Sequence, residues 1–239
     1  MKRLDILLVE MGLFESRNRA SEAIKSGLIL VDKAVVKKPS FKVRDRDIVE
    51  VKTHKAYVSR SAKKLANYLE EYPLEIKDKI CLDIGSSTGG FSQVLLEAGA
   101  KEVYSVDVGS NQLHHSLREN KRIKLFEQTD IRDFKLNIEF DTIVSDVSFI
   151  SLRYILKDID RLAKSGANMV LLFKPQFEVG KGVKRDKKGV VKDKRAIALA
   201  MERFEREAKE LNWVLIRRVK SSLCGKEGNC EWIYHFKNS

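Results

Sequence analysis

Cysteine is scarce in this chain of 239 residues: Cys81, Cys224 and Cys230 are all it has, and none stands in C-x-x-C spacing. The four histidines are scattered, so no zinc site is legible. Cys81 lies within an apolar, strand-like run and reads as a small core residue. No signal-peptide pattern opens the chain. Apolar stretches such as "MVLLF" at residues 169–173 fall far short of the ~20 residues that span a bilayer. A directly membrane-lytic protein is hard to reconcile with that pattern, and a cytoplasmic protein with reduced thiols is expected. Internal repeats and low-complexity tracts are absent as well.

What the chain has in excess is positive charge. The formal net charge is +12, which makes a polyanion the first partner to consider. The surplus is concentrated: residues 1–60 carry fourteen Lys and Arg against eight Asp and Glu, so a quarter of the chain holds half the excess. Hydrophobic residues make up 43 % of the sequence, enough for a substantial core.

The front of the chain reads as a compact basic α+β unit over residues 1–53. "LDILLVEM" has helical spacing and stops at Gly12; "SRNRASEAIKSG" offers Ser16 as N-cap and Gly27 as the stop. In that second helix Ala20, Ala23 and Ile24 form an apolar stripe, while Arg17, Ser21 and Lys25 share another face. "LILVD" and "DIVEVK" read as short strands. Residues 54–60, within "THKAYVSR", read as a linker. From residue 61 to 239 helices and strands alternate, with "LRYILKDIDRLAKSG" a helix and "NMVLLFK" a strand among them. Such alternation predicts a mainly parallel sheet covered on both faces, a Rossmann-like α/β domain.

The stretch "LDIGSSTGGF" ends the first strand of that domain in a small-residue loop. Its glycines, Gly85, Gly89 and Gly90, do not follow G-x-G-x-x-G, because Ser87 stands where the second glycine belongs. Asp83 precedes the loop, and an acidic residue there suits a ligand bearing positive charge or an amino group. Asp107 ends the next strand, where a carboxylate can accept from both hydroxyls of a ribose; Asp130 follows the third and can receive an adenine amino group. Ser86, Thr88 and Phe91 complete the loop. Three carboxylates at successive strand ends point to S-adenosyl-L-methionine, with a nicotinamide dinucleotide or a plain glycine turn as the alternatives.

The fourth strand ends "SDVSF", at Asp146. It lacks the Asn/Asp-Pro-Pro-aromatic string of enzymes that methylate exocyclic amino groups. No cysteine nucleophile for cytosine-carbon methylation lies at these strand ends apart from Cys81. A hydroxyl acceptor remains, and a ribose 2′-hydroxyl needs a group to take its proton. A lysine can serve only if its pKa falls from about 10.4 toward neutrality. Lys174, after "MVLLF", and Asp146 stand at strand ends on the ligand edge.

Taken in order, "YVSRSAKKL", "LDIGSSTGGF", "VDVG", "SDVSFISL", "LLFKPQFE" and "EWIYHF" resemble the motifs of an FtsJ-type catalytic domain. "RLDILLVEMGLFESRNRASEAIKSGLILVD" resembles a small RNA-binding domain shared with a ribosomal small-subunit protein. The chain is therefore similar, over nearly its whole length, to the TlyA, or hemolysin-A-like, family of ribosomal RNA 2′-O-methyltransferases. The resemblance implies a class I methyltransferase domain with a mostly parallel seven-stranded sheet. It implies a Lys-Asp-Lys-Glu tetrad at Lys64, Asp146, Lys174 and Glu231, with register favouring Lys64 over its neighbour Lys63. It also implies S-adenosyl-L-methionine as cofactor, with no metal, and a ribosomal RNA or subunit as partner. Where members often carry Asn-x-Arg, this chain has Asp130-Ile131-Arg132, and residues 53–60 depart from the linker tetrapeptide of longer members. The extent of the chain resembles the short form of the family, which implies a cytidine of large-subunit RNA.

Arg17, Arg19 and Lys25 are the expected grips on RNA phosphates. The glycine-rich, basic segment 178–194 reads as a mobile loop closing over RNA or as a disordered surface loop, and Phe149 as a ring that packs on the target nucleotide or as a core residue. A non-enzymatic alternative is an RNA-binding assembly factor with a vestigial methyltransferase fold.

Overall fold

The computed structural model of the chain describes residues 1–51 and 57–239, so residues 54–56 of the expected linker lie outside the described part. Two compact units are present, Met1–Ala56 and Tyr57–Ser239.

In the first unit β1 (Lys2–Arg3) leads into α1 (Leu4–Glu10) and α2 (Arg17–Lys25). Ser16 caps α2 as expected, its hydroxyl accepting the Arg19 N–H at 3.3 Å, and Gly27 follows at φ +79°. Four short strands follow: β2 (Ile29–Val31), β3 (Ala34–Val35), β4 (Lys42–Val43) and β5 (Val49–Val51). Leu4, Leu8, Ala20, Ala23, Ile24, Ile29 and Val43 form its core, so the stripe read from α2 does face inward. The β2–β3 hairpin was not legible, because its turn residues Asp32 and Lys33 adopt positive φ without a glycine.

The second unit begins earlier than expected. Val58 N–H bonds the Gln93 side chain at 2.9 Å, Tyr57 and Val58 pack on the core, and α3 (Arg60–Glu71) starts after Ser59. Residues 57–60 are thus part of this unit rather than linker. Then come β6 (Ile80–Ile84), α4 (Gly90–Glu97), β7 (Glu102–Val106), the short α5 (His115–Arg118), β8 (Ile123–Phe126) and β9 (Phe140–Ser145). A 3-10 turn (Leu152–Ile155) precedes α6 (Leu156–Leu162), and β10 (Ala163–Phe173), α7 (Pro175–Glu178), α8 (Lys194–Glu210), β11 (Trp213–Lys220) and β12 (Trp232–Asn238) complete the chain.

The seven strands lie in the order β11-β12-β10-β9-β6-β7-β8, parallel except where β12 pairs antiparallel with β10 and β11. The chain leaves β6 to one side for β7 and β8, then returns to the other side for β9. That reversal opens a crevice at the carboxyl ends of β6 and β9, where open α/β sheets bind ligands. Side chains such as Phe140, Phe173, Phe204 and Tyr234 fill one face and Leu65, Cys81, Leu95 and Val103 the other. Burial pushes the Cys81 thiol up to about 12, as suits a core residue.

One expectation is corrected. The helix read over residues 152–166 stops at Leu162, and the strand begins at Ala163. Ala163 pairs with Phe140 on β9, and the Asn238 side-chain amide donates to the Ala163 carbonyl at 3.1 Å, so sheet pairing overrides local helix preference there. Segment 178–194 is hydrogen-bonded at several points. Arg185 donates to the carbonyls of Gln176, Val183 and Gly180 at 2.8, 2.8 and 3.1 Å, and Val191 N–H reaches the buried Asn229 side chain at 3.0 Å.

Candidate active site

The loop after β6 is shaped by close approach. Gly85 sits at φ +77°, and a Cβ there would meet Val147 at 3.0 Å, so glycine lets this loop touch the one that follows β9. A Cβ on Gly90 would lie 2.0 Å from Ser59 Oγ and 2.6 Å from Ser61 Oγ, so glycine lets α4 start directly against α3. Asp83 does not line the crevice. It is fully enclosed, and one oxygen accepts from Ser92 N–H at 2.8 Å and Ser92 Oγ at 2.6 Å, which fixes the first turn of α4. Its other oxygen has no partner, and burial pushes the carboxyl up to about 7. Asp83 therefore supports the loop from beneath and is not among the side chains lining the two cavities.

A cleft of about 320 Å³ opens beside this loop, lined by Asp107, Asp130 and the apolar side chains of Val108, Ile131 and Ile150. Asp107 takes the Ser87 N–H and the Gly109 N–H at 2.7 Å each, which aims its carboxylate. Asp130 is gripped by Arg132, with Nε at 2.9 Å and Nη2 at 2.6 Å, and this hydrogen bonding holds its carboxyl below the usual range. A second chamber of about 290 Å³ is lined by Ser59, Arg60, Ser61, Ser86, Thr88, Phe91 and Lys174. Both share Gly85, Ser87, Asp146 and Ser148 as a common wall.

The four tetrad positions form two ion pairs. Lys174 Nζ lies 2.6 Å from Asp146 Oδ1 and donates to Ser148 Oγ at 2.8 Å. Lys64 Nζ lies 2.5 Å from Glu231 Oε2. Lys64 and Lys174 are each 7 % exposed, whereas Lys63 faces outward. The pairs meet at one sheet edge: Phe173 on β10 is the cross-strand partner of Trp232 on β12, so Lys174 and Glu231 occupy neighbouring positions just beyond it. Ser148, Ser59 and Ser61 escaped sequence reading, since only tertiary approach brings them to the chamber.

The front-module cations differ. Arg17 Nη2 donates at 3.0 Å to Asp5, a buried carboxylate that Arg3 also grips, and the two guanidiniums hold the Asp5 carboxyl at about 2. Arg19 lies 3.6 Å from Glu22 and is exposed, as is Lys25.

Comparison with known proteins fits these features. The FtsJ-like methyltransferase family model matches residues 57–238 and the S4 domain model residues 2–49. A Campylobacter jejuni protein named 23S rRNA (cytidine-2′-O)-methyltransferase TlyA is 57 % identical over 180 residues, 75 % of this chain and 70 % of that one. A Mycobacterium tuberculosis protein named 16S/23S rRNA (cytidine-2′-O)-methyltransferase TlyA is 40 % identical, over 96 % of this chain and 87 % of that one. A solved structure of a candidate hemolysin from Streptococcus thermophilus superposes with a TM-score of 0.73 at 34 % identity, covering 100 % of this chain and 88 % of that one. The chain belongs to the TlyA family of FtsJ-like methyltransferases.

S-adenosyl-L-methionine is the cofactor of this TlyA-family fold, and the residues present fit it. Asp107 offers an aimed carboxylate at the end of β7, and apolar side chains flank the cleft as an adenine would require. In the adjoining chamber Ser86 Oγ is buried without a hydrogen-bond partner, an orphan that a polar ligand would satisfy. Among the described residues no cluster of His, Cys, Asp and Glu could hold a metal ion, and no helix is long and apolar enough to cross a membrane.

Proposed function

We propose that this chain methylates the ribose 2′-hydroxyl of a cytidine in large-subunit ribosomal RNA, using S-adenosyl-L-methionine. The observation that carries the reading is the Lys174–Asp146 pair. It puts an amine in the second chamber, against the Asp146 and Ser148 wall that this chamber shares with the cofactor cleft, and neither lining includes a cysteine or a proline. That arrangement suits a hydroxyl acceptor, whose proton has to go somewhere as the new bond forms. The relative at 57 % identity is named for 23S RNA alone and the one at 40 % for both subunits, which favours the large-subunit target.

Bound cofactor supplies an electrophilic methyl group on a sulfonium centre. Asp107 and the apolar cleft walls would hold its nucleoside end, with Asp130 at the adenine side, and Ser86 and Thr88 would hold the remainder in the chamber they line. Lys174 gives up its ammonium proton to solvent before the reaction, and as a neutral amine it takes the proton of the ribose hydroxyl while the methyl group passes to the oxygen. Asp146 and Ser148 keep its amine at the shared wall, since each holds the nitrogen within 2.8 Å. Lys64 and Glu231, buried behind it, brace α3 against the start of β12. Phe149, 93 % exposed, is available to pack on the target nucleotide. The front module contributes Arg19 and Lys25 to RNA phosphates, with Arg17 shared between Asp5 and RNA. A cytoplasmic location follows from such a substrate.

A map of ribose methylation across ribosomal RNA, with and without the gene, tests the reading. One large-subunit cytidine should lose its 2′-O-methyl group in the deletion and regain it on complementation. An unchanged map would leave the vestigial-enzyme alternative.

A further inference from the structure

We propose that Glu178 is a positioning residue for methyl transfer, its buried carboxylate tying together the two loops that carry Asp146 and Lys174. The proposal rests on the reading of those two residues as reaction machinery. Glu178 is 6 % exposed and ends α7, the turn that starts immediately after Lys174. Its two oxygens accept from Ser151 Oγ at 2.5 Å and Leu152 N–H at 2.9 Å. Both donors lie at the end of segment 146–152, which begins with Asp146 and carries Ser148 and Phe149.

The two loops are joined at three successive levels. Lys174 meets Asp146 and Ser148, the Phe177 ring lies 5.3 Å from that of Phe149, and Glu178 meets Ser151 and Leu152. The first level is the reacting end and the third is farthest from it. Between them Phe149 holds φ +67°, a backbone conformation that side chains seldom adopt and that persists only where its surroundings impose it. An anchor at the far end supplies that constraint.

Enclosing a carboxylate is costly, and a neutral side chain would suffice to cap a four-residue turn. Among the described residues no cation is hydrogen-bonded to it: Arg153, next along the segment, acts on it only through space and gives its Nε to Glu207 at 2.7 Å. Burial raises the Glu178 carboxyl while the Ser151 and Leu152 hydrogen bonds lower it. A buried acceptor spent on another loop's hydroxyl and amide is a tether.

The test uses the full chain with ribosomal RNA, measuring kcat, KM for RNA, cofactor affinity by calorimetry, and amide exchange at Leu152. Glu178→Ala should lower kcat by about ten- to hundredfold while KM and cofactor affinity stay within about threefold, the signature of misplaced reacting groups. Leu152 should lose exchange protection in the same variant. Glu178→Gln keeps an acceptor for Leu152 and a partner for Ser151, and should recover kcat to within about threefold of wild type. Ser151→Ala should show a smaller loss in kcat alone. Wild-type kcat in Glu178→Ala, or a Gln variant as slow as Ala, overturns the proposal. If Glu178→Ala does not fold, full kcat in Ser151→Ala overturns it. An inactive wild type would sink the reaction reading and this role with it, whereas an active wild type with a fully active Ala variant sinks the positioning role alone.

Discussion

Arg17 and Arg19 in the first unit keep 58 % and 74 % of their side-chain surface exposed, whereas Lys64 and Lys174 in the second keep 8 % and 9 %. The same sign of charge is used in two physical regimes. An exposed guanidinium facing an exposed carboxylate, as Arg19 faces Glu22, pairs weakly and is screened by salt, so it can exchange that partner for a phosphate, whereas Arg17 is tied to the buried Asp5. Buried ammoniums depend on their carboxylates, because removing either partner strands a charge away from water. The first regime gives affinity for a polyanion and little geometry. The second gives geometry at a sheet edge and little long-range field. A chain that must grip RNA and also place one amine beside one hydroxyl needs both.

Three changes sharpen or break this contrast. Asp107→Ala removes an aimed acceptor from the cleft, and cofactor affinity should fall by about ten- to hundredfold in calorimetry while RNA binding holds. Equal cofactor affinity would move the ribose end elsewhere. Arg19→Ala with Lys25→Ala should lower the slope of log affinity against log salt by roughly two, with kcat at saturating RNA unchanged. These two are cleaner probes than Arg17, whose loss also loosens Asp5. An unaltered slope would take this face out of the RNA interface.

The smallest effect concerns Asp83. Its carboxyl stands at about 7 in the fold against an ordinary value of 3.8. A raised acid binds its proton more tightly when folded. Its contribution to stability is therefore complete below about 4 and is lost as pH rises through about 7. Asp83→Asn removes that linkage, so the stability of wild type relative to the variant should decline between pH 4 and pH 7. A difference that stays flat would contradict the burial argument.

The strand-end carboxylates were legible because a strand followed by a small-residue loop announces where a parallel sheet binds its ligand. Lys174 and Asp146 stood out for the same reason. Lys64 and Glu231 did not, since 167 residues separate them and only family resemblance paired them. Ser59 and Ser61 were invisible because their place in the chamber depends on the missing Cβ of Gly90. Asp83 was read as facing the ligand, since a sequence gives a residue's position at a strand end but not which way its side chain turns. Segment 178–194 looked like a loose basic loop because composition shows the lysines and hides the three carbonyls that Arg185 gathers.

The central claim is that Lys174, as a neutral amine, accepts the proton of a ribose hydroxyl in the second chamber, beside the wall shared with the cofactor cleft. Methyl transfer to large-subunit RNA by wild type and Lys174→Ala, with nucleoside analysis of the product and parallel calorimetry of cofactor binding, tests it most directly. The account predicts 2′-O-methylcytidine from wild type, a rate loss of about a hundredfold or more in the variant, and cofactor affinity within a few-fold. A base-methylated product, or a variant that turns over near the wild-type rate, would contradict it.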